Sequence, residues 1–123
     1  MLATSPRVHQ YPGAVPALLA WAHGESERLP EFVATFCAEA TSLHNQLAAA
    51  VTASDAQEVY QAACRLRRLL AHVGVPQLYA VAAALEDLAR TKDLGPAVSL
   101  VEELGAVLPG FCAYLARKPW LRY

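Results

Sequence analysis

The sequence has little of the material from which β-sheets are built. It contains no isoleucine, and valine (11) and threonine (5) are its only β-branched residues, whereas alanine (25) and leucine (18) supply about a third of its 123 residues. β-branched residues favour strands, while alanine and leucine favour helices. The composition therefore predicts an all-α protein. The length fits one domain, because two halves would each be too small to bury an adequate core.

Long apolar runs and a strong charge imbalance are also missing. The longest apolar stretch has nine residues, from Ala14 to Ala22, and it contains Pro16; a membrane-spanning helix needs about 20. The amino terminus lacks the basic start and apolar run of a secretory signal. Lys and Arg number 10 against 11 Asp and Glu, for a net charge of −1, whereas nucleic-acid-binding domains are usually strongly basic. We therefore expect a cytoplasmic protein with no membrane insertion and no nucleic-acid partner.

Cysteine is scarce, and its spacing is irregular. The three cysteines, Cys37, Cys64 and Cys112, are odd in number and lack the paired spacing of zinc ligands, which favours free thiols in a reducing cytosol. Cys37 and Cys112 fall beside apolar stripes, so we expect them to be small core residues. The sequence also lacks a glycine-rich phosphate loop, and its adjacent acidic residues would point in different directions on a helix. We expect no metal, no cofactor and no catalytic residue.

The sequence does contain a series of amphipathic segments. In four of them apolar residues recur every three or four positions, which predicts helices that bury one face. Their predicted starts are Pro30, the cap residues Ser54 and Asp55, Pro76, and Pro96. A shorter apolar segment follows Pro16 and ends at Gly24. Together they predict an up-down four-helix bundle with a short additional N-terminal helix that closes one end.

The predicted domain organisation follows from these segments. We expect a flexible N-terminal tail over residues 1–12, a helical bundle over residues 13–117 and a C-terminal tail over residues 118–123. Pro109 lies inside the last amphipathic segment, where it removes one backbone donor, so we expect a kink or a break there. Trp120 in the C-terminal tail is expected to be a packing anchor, with a partner contact as the alternative.

The most informative segment runs from Ala62 to Val75 and reads AACRLRRLLAHVGV. At about 100° per residue, Cys64 lies roughly 160° from the direction of the apolar residues on this helix. We therefore expect its thiol to face solvent, among arginines and small or uncharged side chains that suit binding to an acidic partner. We call the following eight residues the outer strip: Gln57, Tyr60, Gln61, Cys64, Arg65, Arg67, Arg68 and Ala71.

This segment resembles the histidine phosphotransfer (Hpt) domains of bacterial phosphorelays. Their pattern is a pair of small residues, then His-x-Leu-Lys-Gly, then a helix end at Asn-Leu-Gly-Ala. The residues in register with this pattern are Leu66, Arg67 in place of lysine, Gly74 and Leu78. The resemblance covers roughly residues 30–117, since the order and lengths of the helices agree too. It implies an Hpt-like bundle whose partner is a response-regulator receiver domain or a sensor histidine kinase.

Two positions depart from the family pattern. Cys64 stands where the phosphorylated histidine belongs, and Arg68 stands where a glycine leaves room for the receiver. Phosphoryl transfer to the family's histidine uses a neutral ring nitrogen as the nucleophile, and a thiol is a poor replacement for it. His72 is eight residues further on, about 12 Å along the helix, and we expect it to be an ordinary helix-end histidine. The resemblance therefore implies a non-catalytic pseudo-phosphotransfer protein that modulates signalling without accepting phosphate.

Two other functions are compatible with the sequence. The three arginines beside Cys64 would favour its thiolate form, which is the condition for a redox-responsive thiol protein. Alternatively, the chain is a structural, partner-binding helical bundle outside phosphorelays that uses another face or its aromatic C-terminal tail.

Overall fold

The computed structural model describes residues 11–122, and helix is the only regular secondary structure within that range. The helices are α1 (Ala14–Trp21), α2 (Leu29–Thr52), α3 (Ala56–Leu70), α4 (Pro76–Arg90) and α5 (Ala97–Ala116), with short 3-10 helices at Ser26–Arg28 and Pro119–Arg122. The prediction of an all-α, four-helix bundle with a short additional N-terminal helix is confirmed.

The helix starts follow from local chemistry. The Asp55 side chain accepts a hydrogen bond of 3.1 Å from the backbone N–H of Glu58, which satisfies a donor that the first turn of α3 leaves free. Pro76 is the first residue of α4, where its missing N–H costs nothing. Ser54, predicted as a second cap residue, instead adopts φ +54° and ends the turn that follows α2.

The core lies between α2, α3, α4 and α5. Helix α3 packs between α2 and α4, and α5 packs against the same two helices on the other side of the bundle. The rings of Phe36 and Phe111 meet edge to face at 6.0 Å in the centre, and both are fully buried. Because α3 has neighbours on two sides and the core on a third, its fourth side remains open to solvent.

A kink or a break was predicted at Pro109; helix α5 is continuous through this residue, so a break is absent. Pro109 is exposed, and the buried Leu108 and Phe111 hold the helix against the core on either side of it. By length and composition alone, α5 could cross a membrane. In the described structure α5 packs along α2 and α4.

Aromatic residues at both ends of the described chain pack against the bundle. The Tyr11 ring lies 4.8 Å from the ring of Phe111 and 5.1 Å from that of Tyr114, and Trp120 is buried in the last 3-10 helix. Both residues fall in the predicted tails. The prediction that Trp120 is a packing anchor is confirmed, whereas the sequence pattern did not show that the Tyr11 ring packs against the bundle. Residues 1–10 and residue 123 of those tails lie outside the described residues.

Two glycines bring α1 against the turn between α3 and α4. A Cβ atom placed on Gly13 would lie 2.7 Å from the carbonyl oxygen of Gly74, and Gly74 itself has φ +66°. Neither residue could carry a side chain without moving the other segment. This contact seats α1 on one end of the bundle, as predicted for the first helix.

Candidate functional site

The outer strip lies on the open side of α3. Five of its residues are exposed: Gln57, Gln61, Arg65, Arg68 and Ala71. Tyr60, Cys64 and Arg67 are half-buried, and contacts of Cys64 and Arg67 reach α4. The predicted direction of the strip is therefore correct. Cys64 is less exposed to solvent than predicted, because a side chain from α4 covers part of it. The helical phase of α3 alone cannot predict a contact with another helix.

The side chain that reaches Cys64 is Glu86 of α4. The Cys64 thiol donates a hydrogen bond of 3.2 Å to Glu86 Oε2. Arg67 Nε donates to Glu86 Oε1 at 2.6 Å, and its Nη2 atom donates to Oε2 at 3.4 Å. The three side chains therefore form one polar cluster across the groove between α3 and α4, and the carboxylate is its centre.

Glu86 is the one charged residue that is buried within residues 11–122. The hydrogen bonds from Arg67 lower the pKa of its carboxyl below the ordinary value, although burial acts in the opposite direction. A buried charge is tolerated when it is paired and hydrogen-bonded in this way. Glu86 was not among the site residues predicted from the sequence, although its spacing carries a signal. It lies four residues after Ala82 and three before Ala89, which are both buried and belong to the apolar stripe of α4.

Arg67 is held in place on both sides of the cluster. Besides Glu86, it donates a hydrogen bond of 3.3 Å from Nη1 to the Tyr79 hydroxyl, and these hydrogen bonds, first of all the one to Glu86, raise the pKa of Arg67. Arg90 lies 3.9 Å from Glu86 and stacks over the Tyr60 ring at 5.7 Å. Arg67 therefore has a structural role. Tyr79 and Arg90 also belong to this site, and neither was among the site residues predicted from the sequence.

The other two arginines of the outer strip are free. Within the described part of the chain, neither Arg65 nor Arg68 makes a hydrogen bond or an ion pair. Arg65 lines a shallow groove toward α2, beside Glu39 and Gln46. Of the three arginines that the sequence predicted beside Cys64, Arg67 makes a contact with it: its Nη2 atom is 3.9 Å from the sulfur. The thiol also donates a hydrogen bond to the Glu86 carboxylate, a contact that the sequence did not predict.

None of the described histidines belongs to the outer strip. His23 is exposed just after α1 and His72 is exposed in the turn after α3, while His44 Nε2 donates a hydrogen bond of 3.1 Å to the carbonyl oxygen of Val101. His9 falls outside the described residues. Among residues 11–122, no three His, Cys, Asp or Glu side chains converge in a way that could hold a metal ion.

We expect the Glu86 carboxylate to stabilise the fold in a pH-dependent manner. Its pKa is lowered in the folded protein, so the stabilisation is complete above the ordinary carboxyl value and is lost as the pH falls through the lowered value. The difference in the free energy of unfolding between the wild type and Glu86→Gln should be constant near pH 7 and shrink below about pH 4.5, as measured by urea denaturation. A difference that stays constant down to pH 3 would contradict the prediction. Arg67→Gln removes the main cause of the shift and should reduce the same pH dependence.

The four-helix architecture and the motif on α3 define a phosphotransfer-type bundle. A family model described as the Hpt domain matches residues 31–114. The match covers more than half of the chain, which therefore belongs to the Hpt domain family.

A solved structure has the same architecture. Histidine-containing phosphotransfer protein B (HptB) from Pseudomonas aeruginosa PAO1 is similar with a TM-score of 0.77 and 23% sequence identity, over 88% of this chain and 93% of that one. At this identity the likeness shows the fold. No curated protein sequence matches the chain. Hpt proteins are phosphotransfer carriers rather than catalysts and interact with kinases and receiver domains, so family membership supports involvement in a two-component phosphorelay.

Proposed function

We propose that this chain is a non-phosphorylatable Hpt protein. It binds a receiver domain or a sensor histidine kinase in the bacterial cytoplasm and modulates signalling without accepting phosphate. It needs no cofactor and catalyses no reaction. The observation that carries the proposal is the cysteine at position 64, hydrogen-bonded to Glu86, at the position where the family pattern has its phosphorylated histidine.

The surroundings of Cys64 oppose phosphoryl transfer. A nucleophile needs a lone pair directed at the incoming phosphorus atom, and the phosphoryl group brings negative charge with it. The sulfur of Cys64 instead points its hydrogen at a carboxylate 3.2 Å away. That carboxylate would repel a phosphoryl group that approached the sulfur. At the glycine position of the family pattern, Arg68 adds a long side chain to the surface.

The outer strip remains suited to docking. Receiver active sites are acidic, and Arg65 and Arg68 are exposed cations without partners among residues 11–122. Cations of this kind steer an acidic partner toward the surface and fix its orientation. The exposed Gln57, Gln61 and Ala71 add small and uncharged contact area next to them.

Label transfer from a phosphorylated receiver tests the proposal. Each receiver domain of the source organism is phosphorylated with a radiolabelled small-molecule phosphodonor and mixed with the full chain. We expect at least one receiver or sensor kinase to bind and all label to stay on the receiver. Label on the wild-type chain would overturn the proposal, and a His72→Ala variant would show whether His72 had accepted it. The proposal would also be overturned if the chain bound none of the receiver domains and none of the sensor kinases.

The double substitution Cys64→His with Arg68→Gly is the matched positive control. It restores the family's nucleophile and the space beside it, and we expect this variant to acquire acid-labile label from a receiver that it binds. If it binds the receiver and still takes no label, these two positions do not explain the loss of phosphoryl acceptance.

A further inference from the structure

Two cysteines that the proposed function does not use lie on the seam between α2 and α5. Cys37 and Cys112 are free and half-buried, rather than enclosed in the core as predicted. The contact between His44 and Gly105 sets the alignment of the two helices: a Cβ atom on Gly105 would lie 2.9 Å from His44 Nε2. Cys37 precedes His44 by seven residues and Cys112 follows Gly105 by seven, or about two turns on each helix. Because α2 and α5 run antiparallel, moving back two turns along α2 from His44 and forward two turns along α5 from Gly105 leads to the same level of the bundle. Cys37 and Cys112 therefore lie opposite each other.

Direct contacts support this alignment. Phe36 and Phe111, each one residue before a cysteine, meet at 6.0 Å. The side chains of Cys37 and Cys112 interact directly with each other. This interaction lowers the pKa of Cys37 and raises the pKa of Cys112. Cys37 is therefore the better nucleophile of the pair, and Cys112 is in position to react with it next.

The pair is accessible to a small reagent. Both cysteines line a groove of about 310 Å³ whose walls are largely apolar and include Val33, Leu115 and Trp120. A groove of this size admits a small neutral molecule such as hydrogen peroxide. Cys64 contacts α4 through Glu86, across the bundle from this seam, so it is not in position to react with either thiol.

We propose that Cys37 and Cys112 form a reversible intrachain disulfide, which clamps α2 to α5, when the protein meets hydrogen peroxide. The Cys37 thiolate attacks one peroxide oxygen, the O–O bond breaks, and the departing hydroxide takes up a proton as water, which leaves a sulfenic acid on Cys37. The Cys112 sulfur then attacks the Cys37 sulfur, the S–O bond breaks, and the hydroxide leaves as a second water with the proton of Cys112. The two thiols lose two electrons, and the peroxide gains them.

Alkylation and mass spectrometry of the full chain test this proposal. The protein is treated with stoichiometric peroxide, and its remaining thiols are alkylated with iodoacetamide. We expect a monomer in which Cys64 alone is alkylated. Apart from that one alkyl group, its intact mass should be lower than that of the reduced protein by two hydrogen atoms. Digestion should release a disulfide-linked peptide pair containing Cys37 and Cys112. A dithiol reductant should restore alkylation at both residues. The thermal midpoint of the oxidised protein should rise by several degrees, because the bond restricts the unfolded chain.

Single substitutions separate this disulfide from other thiol chemistry. Cys64→Ser should form the same bond and show the same rise in the thermal midpoint, whereas Cys37→Ser and Cys112→Ser should show neither. Cys37→Ala and Cys112→Ala replace any serine variant that fails to fold. A disulfide through Cys64, or peroxide-treated protein in which both Cys37 and Cys112 are still alkylated, would overturn the proposal.

Discussion

Reversing the charge of Arg65 and Arg68 together should weaken binding to the receiver or kinase partner by about tenfold to a hundredfold. Both cations are exposed and have no partner within residues 11–122, so two glutamates there would meet an acidic surface with like charge. The wild-type affinity should fall as salt is added, because the attraction is screened, and the variant should lose most of that salt dependence. Dissociation constants measured at low and high ionic strength check both effects.

Arg67 is left unchanged in this experiment for a structural reason. Its hydrogen bonds to Glu86 hold α3 to α4, so a glutamate at position 67 would place two carboxylates together and destabilise the fold. Loss of binding by such a variant would not report on docking.

A matched control separates the local contact from net charge. Arg117→Glu with Arg122→Glu makes the same change in charge at two exposed positions near the C-terminus. We expect this control to bind within about twofold of the wild type, since Arg117 and Arg122 lie outside the outer strip and salt screens exposed charges that make no direct contact with the partner. Equal losses in the two double variants would assign the effect to net charge. Unchanged affinity after reversal of Arg65 and Arg68 would show that the outer strip is not the docking surface.

Gly74→Ala should lower the free energy of unfolding by about 2–5 kcal/mol, a large share of what a domain of this size has. Two costs add at this position. The backbone φ of +66° is unfavourable for a residue with a Cβ atom. The new Cβ would also overlap the carbonyl oxygen of Gly13 and lie 2.8 Å from the Cβ of Ala17, so α1 would have to move. Urea denaturation measures the effect as a lower midpoint.

Two other glycines separate these costs. Gly24 has φ +83° with no atom within 4 Å of an added Cβ, so Gly24→Ala carries the conformational cost alone, about 1 kcal/mol. Gly13 has φ −90°, so Gly13→Ala has no conformational cost. It has only the cost of the contact, because the new Cβ would lie 2.7 Å from the Gly74 carbonyl oxygen. We expect it to lower the free energy of unfolding by more than Gly24→Ala and by less than Gly74→Ala. If Gly74→Ala costs no more than Gly24→Ala, α1 does not pack against this turn.

The direction of the outer strip was predictable because helical phase depends only on residue spacing along one chain segment. The phase placed Gln57, Gln61 and Arg68 on the open side of α3, and the structure agrees. The same reasoning could not separate Arg67 from Arg68, since their different roles depend on Glu86, which lies nineteen residues after Arg67. It likewise could not find the contact between Cys37 and Cys112, which depends on the alignment of α2 with α5.

The sequence by itself determined the helices, their starts and their buried faces, because caps, prolines and apolar periodicity act over a few residues. It also determined that position 64 carries a thiol in place of an imidazole. Only the tertiary structure decided that Glu86 covers this thiol, that Arg67 is bound while Arg65 and Arg68 are free, and that Tyr11 joins the core. These contacts join residues far apart in the chain, and their geometry is fixed by how the helices pack against one another.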